Sequence, residues 1–199
     1  KIIDGLDYVP DELENLQTFI SDTYYGNLSV FQSLPDHWAV KQLFPIMPIH
    51  RHTERPVRKA TLADITCDSD GKVDQFIDLR DVKSTIELHE LHPSQPYYLG
   101  AFLVGAYQEI LGDLHNLFGD THTVHVSVTG KNKYRIDKIV EGDTVRDVLA
   151  YMQYQKRDIM VMIRQAVEES IEKRRLSIKE SARIQRFLEE GIEGYTYLE

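Results

Sequence analysis

The chain of 199 residues is poor in several things, and each scarcity removes a class of protein. A single cysteine, Cys67, forbids an internal disulfide and suits a reducing, cytoplasmic compartment. No apolar run approaches the roughly 20 residues needed to cross a bilayer. The opening KIIDGLDYVPDELEN lacks an apolar core, so no secretory signal is expected. Basic residues are scarce: 23 Lys and Arg stand against 32 Asp and Glu, a net charge of −9. An acidic surface repels phosphate backbones and anionic lipid, so neither nucleic acid nor a membrane is the expected partner. What is present is an ordinary globular composition, 42% hydrophobic and 28% charged, which excludes a disordered chain. The first residue is lysine rather than methionine, which reads as a piece cut from a longer chain.

Periodicity divides the chain into three segments. Residues 1–34 form a helical opening segment: Leu13, Leu16, Phe19 and Ile20 recur at helical spacing behind Asp11, Glu12 and Glu14, predicting a helix over 11–31. Residues 35–142 alternate between short apolar runs and turn residues. Strands are predicted at 38–44, 46–50, 60–66, 73–77, 85–89, 97–104, 122–128 and 133–140, with one helix at 107–117. Residues 143–199 are helical, with apolar faces at Val145, Val148, Leu149 and Met152 and again from Ile159 to Ile171. Ser177 followed by Glu180 predicts a capping box for the last helix. The expected class is α+β: a mainly antiparallel β-sandwich or barrel with one packed helix, flanked by helical segments.

Two stretches carry residues with chemical potential. The first is Asp64-Ile65-Thr66-Cys67-Asp68-Ser69-Asp70-Gly71-Lys72. It fails as a calcium loop, because aligning Asp68, Asp70 and Gly71 to such a loop puts Thr66 and Ile77 where carboxylates are required. It fails as a zinc site because one cysteine without ordered histidines is no zinc pattern. Two readings stay open. Either the stretch is a β-turn, with Asp and Gly serving the backbone and Cys67 buried, or it presents a proton donor and anions to a cationic ligand. The second stretch, 96–113, runs from an apolar strand through Gly105-Ala106-Tyr107 into a helix. Such a step either allows close strand–helix packing or offers N–H groups and a tyrosine hydroxyl to an anion such as phosphate. The eight histidines are scattered without metal spacing, and satisfied surface or core roles are expected of them. Asp113, His115 and Asp120 are the one cluster worth testing for a divalent ion.

Taken together and in order, WAVKQLFPIMPIHR at 38–51, DITCDSDGKVDQFID at 64–78, PYYLGAFLVGAYQEILGDLHNLFGD at 96–120 and the terminal GYTYLE resemble the C-terminal third of the biosynthetic arginine decarboxylases. These belong to the fold-type III group that uses pyridoxal phosphate, with ornithine and diaminopimelate decarboxylases and alanine racemase. The resemblance implies an N-terminal α/β barrel that holds the cofactor through a lysine, roughly 400 further residues that this chain does not contain. It implies a homo-oligomer, dimer or tetramer, with shared active sites. It implies that full-length enzymes turn L-arginine into agmatine and carbon dioxide, the entry to putrescine and spermidine. Magnesium dependence is implied as well, without a site in these residues.

Residue by residue, the resemblance makes Cys67 the catalytic proton donor to the carbon that loses carbon dioxide. Asp68 then binds the distal cationic end of the substrate, with Asp70 as a second acid, and Tyr107 reaches the cofactor phosphate. The isolated piece is expected to be inactive. A non-catalytic small-molecule-binding or oligomerisation domain of the same fold is the alternative.

Overall fold

In a computed structural model of the protein, residues 20–198 are described. The chain divides into two compact units, one closing at Asp113 and the other running from Leu114. The fold is α+β with mostly antiparallel pairing.

The centre of the first unit is β3 (Arg58–Ala63), which pairs with three strands. It runs parallel to β1 (Asp22–Tyr25) and antiparallel to β4 (Lys72–Val73) and β7 (Ile86–Leu88). Two small antiparallel ladders lie beside it in sequence, β2 (Ile46–Pro48) with β8 (Leu99–Ala101), and β5 (Phe76–Ile77) with β6 (Val82–Lys83). The core gathers Val30, Leu34, Phe44, Ala60, Val73, Phe76, Ile86 and Leu88. Ala60 and Leu88 are completely buried, so the sheet face at β3 and β7 is the unit's apolar centre.

Two expected elements differ here. Of the helix predicted over 11–31, residues 11–19 lie outside the described residues, and 22–25 form a strand. Asp22-Thr23-Tyr24-Tyr25 is rich in β-prone side chains, and pairing with β3 satisfies its backbone. The strand predicted at 38–44 is absent: residues 38–40 are helical and 41–44 form no regular element. After α1 (Val30–Ser33), α2 (Pro35–Val40) begins with Pro35, whose fixed φ is pre-organised for a first turn, and Asp36 adds a favourable first-turn charge. Lys41, at φ 56°, ends it in the left-handed region. Trp38 then packs edge-on against Phe31, with ring centroids 5.1 Å apart.

The second unit contains, after a short helical turn at His115–Leu117, a hairpin of β9 (Thr123–Gly130) and β10 (Lys133–Val140). This hairpin therefore groups with the helices that follow it, whereas the sequence pattern groups it with the preceding strands. The helices are α4 (Val145–Tyr151), α5 (Lys156–Glu172) and α6 (Ile178–Ile192), preceded by α3 (Ala106–Ile110) in the first unit. The predicted Ser177–Glu180 capping box is present, and Thr144 with Asp147 forms another at α4. The C-terminal Gly-Tyr-Thr-Tyr stretch is fixed by aromatic contacts. Tyr195 stacks on His122 at 4.0 Å, Tyr197 stacks on Phe118 at 5.1 Å, and the Tyr197 hydroxyl donates to the Gly119 carbonyl at 2.8 Å.

Candidate functional site

The Cys67 loop joins β3 to β4 and is held from below by Asp64. The Asp64 side chain is buried, and its carboxylate accepts three hydrogen bonds. They come from the Val30 N–H at 2.8 Å, the Thr66 N–H at 2.9 Å and the Thr66 hydroxyl at 2.7 Å. Its own N–H donates to the Gly71 carbonyl at 2.8 Å, closing the base of the loop. A side chain at Gly71 would run into the Asp64 carboxylate and the Thr66 hydroxyl, so this approach requires glycine. A buried carboxylate with several donors is a rigid anchor, because each donor left without it would go unsatisfied.

Above that base the loop turns outward. Cys67, Asp68, Ser69 and Asp70 are all exposed. An Asp68 carboxylate oxygen accepts from the Asp70 N–H at 2.9 Å, and the Asp68 carbonyl accepts from the Gly71 N–H at 3.0 Å. Asp68 does serve the turn, but Cys67 is not the buried thiol of the packing reading. At the loop's end Lys72 pairs with Asp74 at 2.9 Å, and that hydrogen bond, with Asp70 adding charge, lifts its ammonium above the usual lysine range. The exposed turn offers a thiol and two carboxylates on one short segment, which is what a small cationic ligand would meet.

The predicted helix at 107–117 is shorter than expected. α3 ends at Ile110, and a separate helical turn spans His115–Leu117, broken by Asn116 at φ 56°. Gly112 and the left-handed Asn116 and Leu117 interrupt the helical path. A helix of five residues has little dipole, so the anion-binding reading of this step leans on Tyr107. Tyr107 is 73% exposed, and the space over Gly105 is open. Its neighbour Gln108 is buried and tied to Asp36. A phosphate group fits an exposed phenol donor beside a glycine with no side chain over it.

The strands that lead to both loops also wall one apolar cavity of about 890 Å³. Leu62, Ala63 and Val73 border it from β3 and β4, and Leu99 and Ala101 from β8. Tyr24 and Tyr97 lie on its wall, and both are tied to His89. The Tyr24 hydroxyl donates to the His89 carbonyl at 2.9 Å, and burial raises this hydroxyl above the usual tyrosine range. Tyr97 Oη lies 2.8 Å from His89 Nδ1 and accepts from the His89 N–H at 3.0 Å. This is a satisfied core histidine, as expected. His50 likewise uses Nε2 to accept the Tyr98 N–H at 2.9 Å. Among the described residues no group of three His, Cys, Asp or Glu side chains could hold a metal ion, so Asp113, His115 and Asp120 do not form the cluster their spacing allowed.

Sequence reasoning singles out Cys67, Asp68, Asp70 and Tyr107 but misses the residues that set them. Asp64 has a readable signal, since an Asp two residues before a Thr is a common local turn pairing. Gln108 has none, because its partner Asp36 lies 72 positions away.

Residues 145–198 match the arginine decarboxylase C-terminal helical extension family. Over nearly the whole chain the sequence is 54% identical to the biosynthetic arginine decarboxylase of Gloeobacter violaceus, covering 99% of this chain and 31% of that protein. Along nearly its whole length, the chain is similar to one part of the biosynthetic arginine decarboxylases. The enzyme of the same name from Bacteroides thetaiotaomicron is 50% identical, over 100% of this chain and 31% of its own length. The crystal structure of biosynthetic arginine decarboxylase SpeA from Campylobacter jejuni superposes with a TM-score of 0.77 at 35% identity, over 89% of this chain and 29% of that one. The chain therefore spans about a third of the length of the arginine decarboxylases it matches, and corresponds to their C-terminal part.

Proposed function

We propose that this chain supplies the proton donor and the substrate-binding acids of an arginine decarboxylase whose remaining parts lie in the longer polypeptide. The observation that carries the reading is the exposed Cys67-Asp68-Ser69-Asp70 turn, raised on a base that the buried Asp64 holds rigid. A thiol can deliver a proton only if it is accessible and fixed in place, and this loop meets both needs.

Arginine would lose its α-carboxyl as carbon dioxide, leaving the bonding electron pair on Cα. The Cys67 Sγ–H would give its proton to that carbon, completing agmatine and leaving a thiolate to be reprotonated from water. Asp68 would hold the guanidinium, whose planar fork of N–H donors suits a carboxylate, and Asp70 would assist from two residues along the turn. Pyridoxal phosphate, when bound, supplies the electron sink for the carbanion. Tyr107 would donate to its phosphate. The described residues offer no magnesium cluster, and no step here depends on one.

The homo-oligomer belongs to the same proposal. Val124, Val126 and Val128 of β9 and Tyr134, Ile136 and Ile139 of β10 are all exposed large hydrophobics, and a two-stranded hairpin is marginal in water unless something packs on it. As for the membrane, among the described residues no helix is long and apolar enough to cross one.

The deciding experiment is Cys67→Ala in the full-length enzyme. Agmatine formation should fall at least about tenfold, since general acid catalysis is typically worth ~10²–10⁴-fold, while cofactor binding persists. Normal turnover to agmatine would remove Cys67 from the chemistry.

A further inference from the structure

The helix that carries Tyr107 is too short to hold itself. An isolated turn of five residues has one or two internal hydrogen bonds and is unstable in water, so its orientation must come from tertiary contacts. The most specific of these is made by the residue after Tyr107. The Gln108 side chain is buried, 4% exposed, and uses both ends of its amide on Asp36. Its Nε2 donates to the Asp36 carboxylate at 2.5 Å, and its Oε1 accepts from the Asp36 N–H at 3.2 Å.

Asp36 sits in the first turn of α2, so a single side chain locks α3 to a neighbouring helix in position and in rotation. Two further contacts fix the downstream side. The Asp113 N–H donates to the Phe31 carbonyl at 3.1 Å, and a Cβ at Gly112 would lie 2.8 Å from the Gln32 carbonyl oxygen.

Successive residues on a helix are about 100° apart, so burying Gln108 against Asp36 sends Tyr107 toward the exposed side. We propose that Gln108 and Asp36 are positioning residues for cofactor binding, a two-bond clamp that aims the Tyr107 hydroxyl at the phosphate. The proposal rests on the reading of Tyr107 as the phosphate donor. It adds that affinity for the phosphate end of the cofactor depends on an amide–carboxylate pair that does not itself touch it.

The pair allows an exchange that preserves both bonds. In Gln108→Glu alone, a carboxylate faces the Asp36 carboxylate and one bond turns into a repulsion. Adding Asp36→Asn restores the pattern with the roles reversed. The new side-chain amide at position 36 and the backbone N–H there can both donate to the new carboxylate at position 108. The test is titration of the full-length apoenzyme with pyridoxal phosphate, followed by absorbance of the bound cofactor, with kcat and KM for arginine at saturating cofactor.

Gln108→Glu should weaken cofactor binding by about tenfold, the scale of one hydrogen bond to a charged group. The double variant should return to within about threefold of the parent, as expected if the two residues couple directly. At saturating cofactor, KM for arginine should stay at the parent value in all of them, since the clamp serves the phosphate and not the guanidinium.

Tyr107→Phe separates this proposal from the reading beneath it. If Gln108 acts through Tyr107, then Gln108→Glu placed on Tyr107→Phe adds little further loss. Equal loss in both backgrounds overturns the clamp while leaving Tyr107 as the phosphate donor. Full cofactor affinity in Tyr107→Phe overturns the reading of Tyr107 and the clamp with it. Should Gln108→Glu prevent folding, Gln108→Asn keeps the amide but is one methylene too short to reach. An unchanged cofactor affinity in that variant overturns the proposal as well.

Discussion

Removing the Asp64 carboxylate should release the Cys67 loop without touching the cysteine. In Asp64→Ala, the Val30 N–H loses its acceptor inside the core, where Val30 is 2% exposed and water has no access. An unsatisfied buried donor costs about 1–3 kcal/mol. The Thr66 N–H and hydroxyl lose theirs too, but Thr66 is half-exposed and water can replace part of the loss. The local cost is then about 2–4 kcal/mol, confined to α1 and the β3–β4 loop because the bonds are confined there.

That cost is measurable as amide hydrogen exchange in the full-length enzyme. Peptides covering residues 28–34 and 64–72 should exchange roughly 30- to 700-fold faster, at tenfold per 1.4 kcal/mol. Peptides from the β9–β10 hairpin should not change. Asp64→Asn keeps one acceptor oxygen and should fall between the parent and the alanine variant. On the proposal that this loop presents the proton donor, agmatine formation should drop in both variants although Cys67 is intact. Unchanged exchange at Val30 and Thr66 would refute the anchor, and faster exchange with full activity would refute its link to catalysis.

The remaining predictions concern the site and the helices. Asp68→Asn in the full-length enzyme should raise KM for arginine about ten- to a hundredfold, from the loss of a charge-assisted contact worth roughly 1.5–3 kcal/mol, and Asp70→Asn should raise it less. Parent-like kinetics in both, with arginine and ornithine measured side by side, would return the two acids to the turn. Tyr107→Phe should lower pyridoxal phosphate retained after dialysis with no change in circular dichroism; unchanged occupancy would leave Tyr107 without a cofactor role. The Thr144 and Ser177 hydrogen bonds hold Asp147 and Glu180 below the usual carboxylate range. Their contribution to α4 and α6 is therefore complete above the ordinary carboxylate pKa and is lost as pH falls through the depressed values, so amide protection in both helices, taken relative to the unstructured exchange rate at each pH, should fall on acidification below about pH 4. Thr144→Ala and Ser177→Ala should each cost about 1 kcal/mol at neutral pH and blunt that acid response, and an undiminished response would show that the capping boxes are not its source.

The local rules that a linear sequence carries decided a good part of this protein. The Ser177–Glu180 capping box and the helical periods after Gly142 appear where the sequence predicts them, because caps and amphipathic faces depend on residues three or four apart. The α+β class follows from the same local alternation, and the quoted motifs were enough to mark the family resemblance. Tertiary pairing decided the rest. Asp22–Tyr25 is a strand because β3 offers its backbone a partner, and Pro35 to Val40 turns helical because proline outweighs the alternation of WAVKQLF. The exposure of Cys67 could not be read from its neighbours, since it depends on a carboxylate three residues before it reaching a helix start 34 positions away. The direction of Tyr107 likewise depends on a bond spanning 72 positions. Spacing in sequence names the groups that could act. Only the folded chain brings their anchors within hydrogen-bond reach, because those bonds form between segments whose separation along the chain carries no record of their contact.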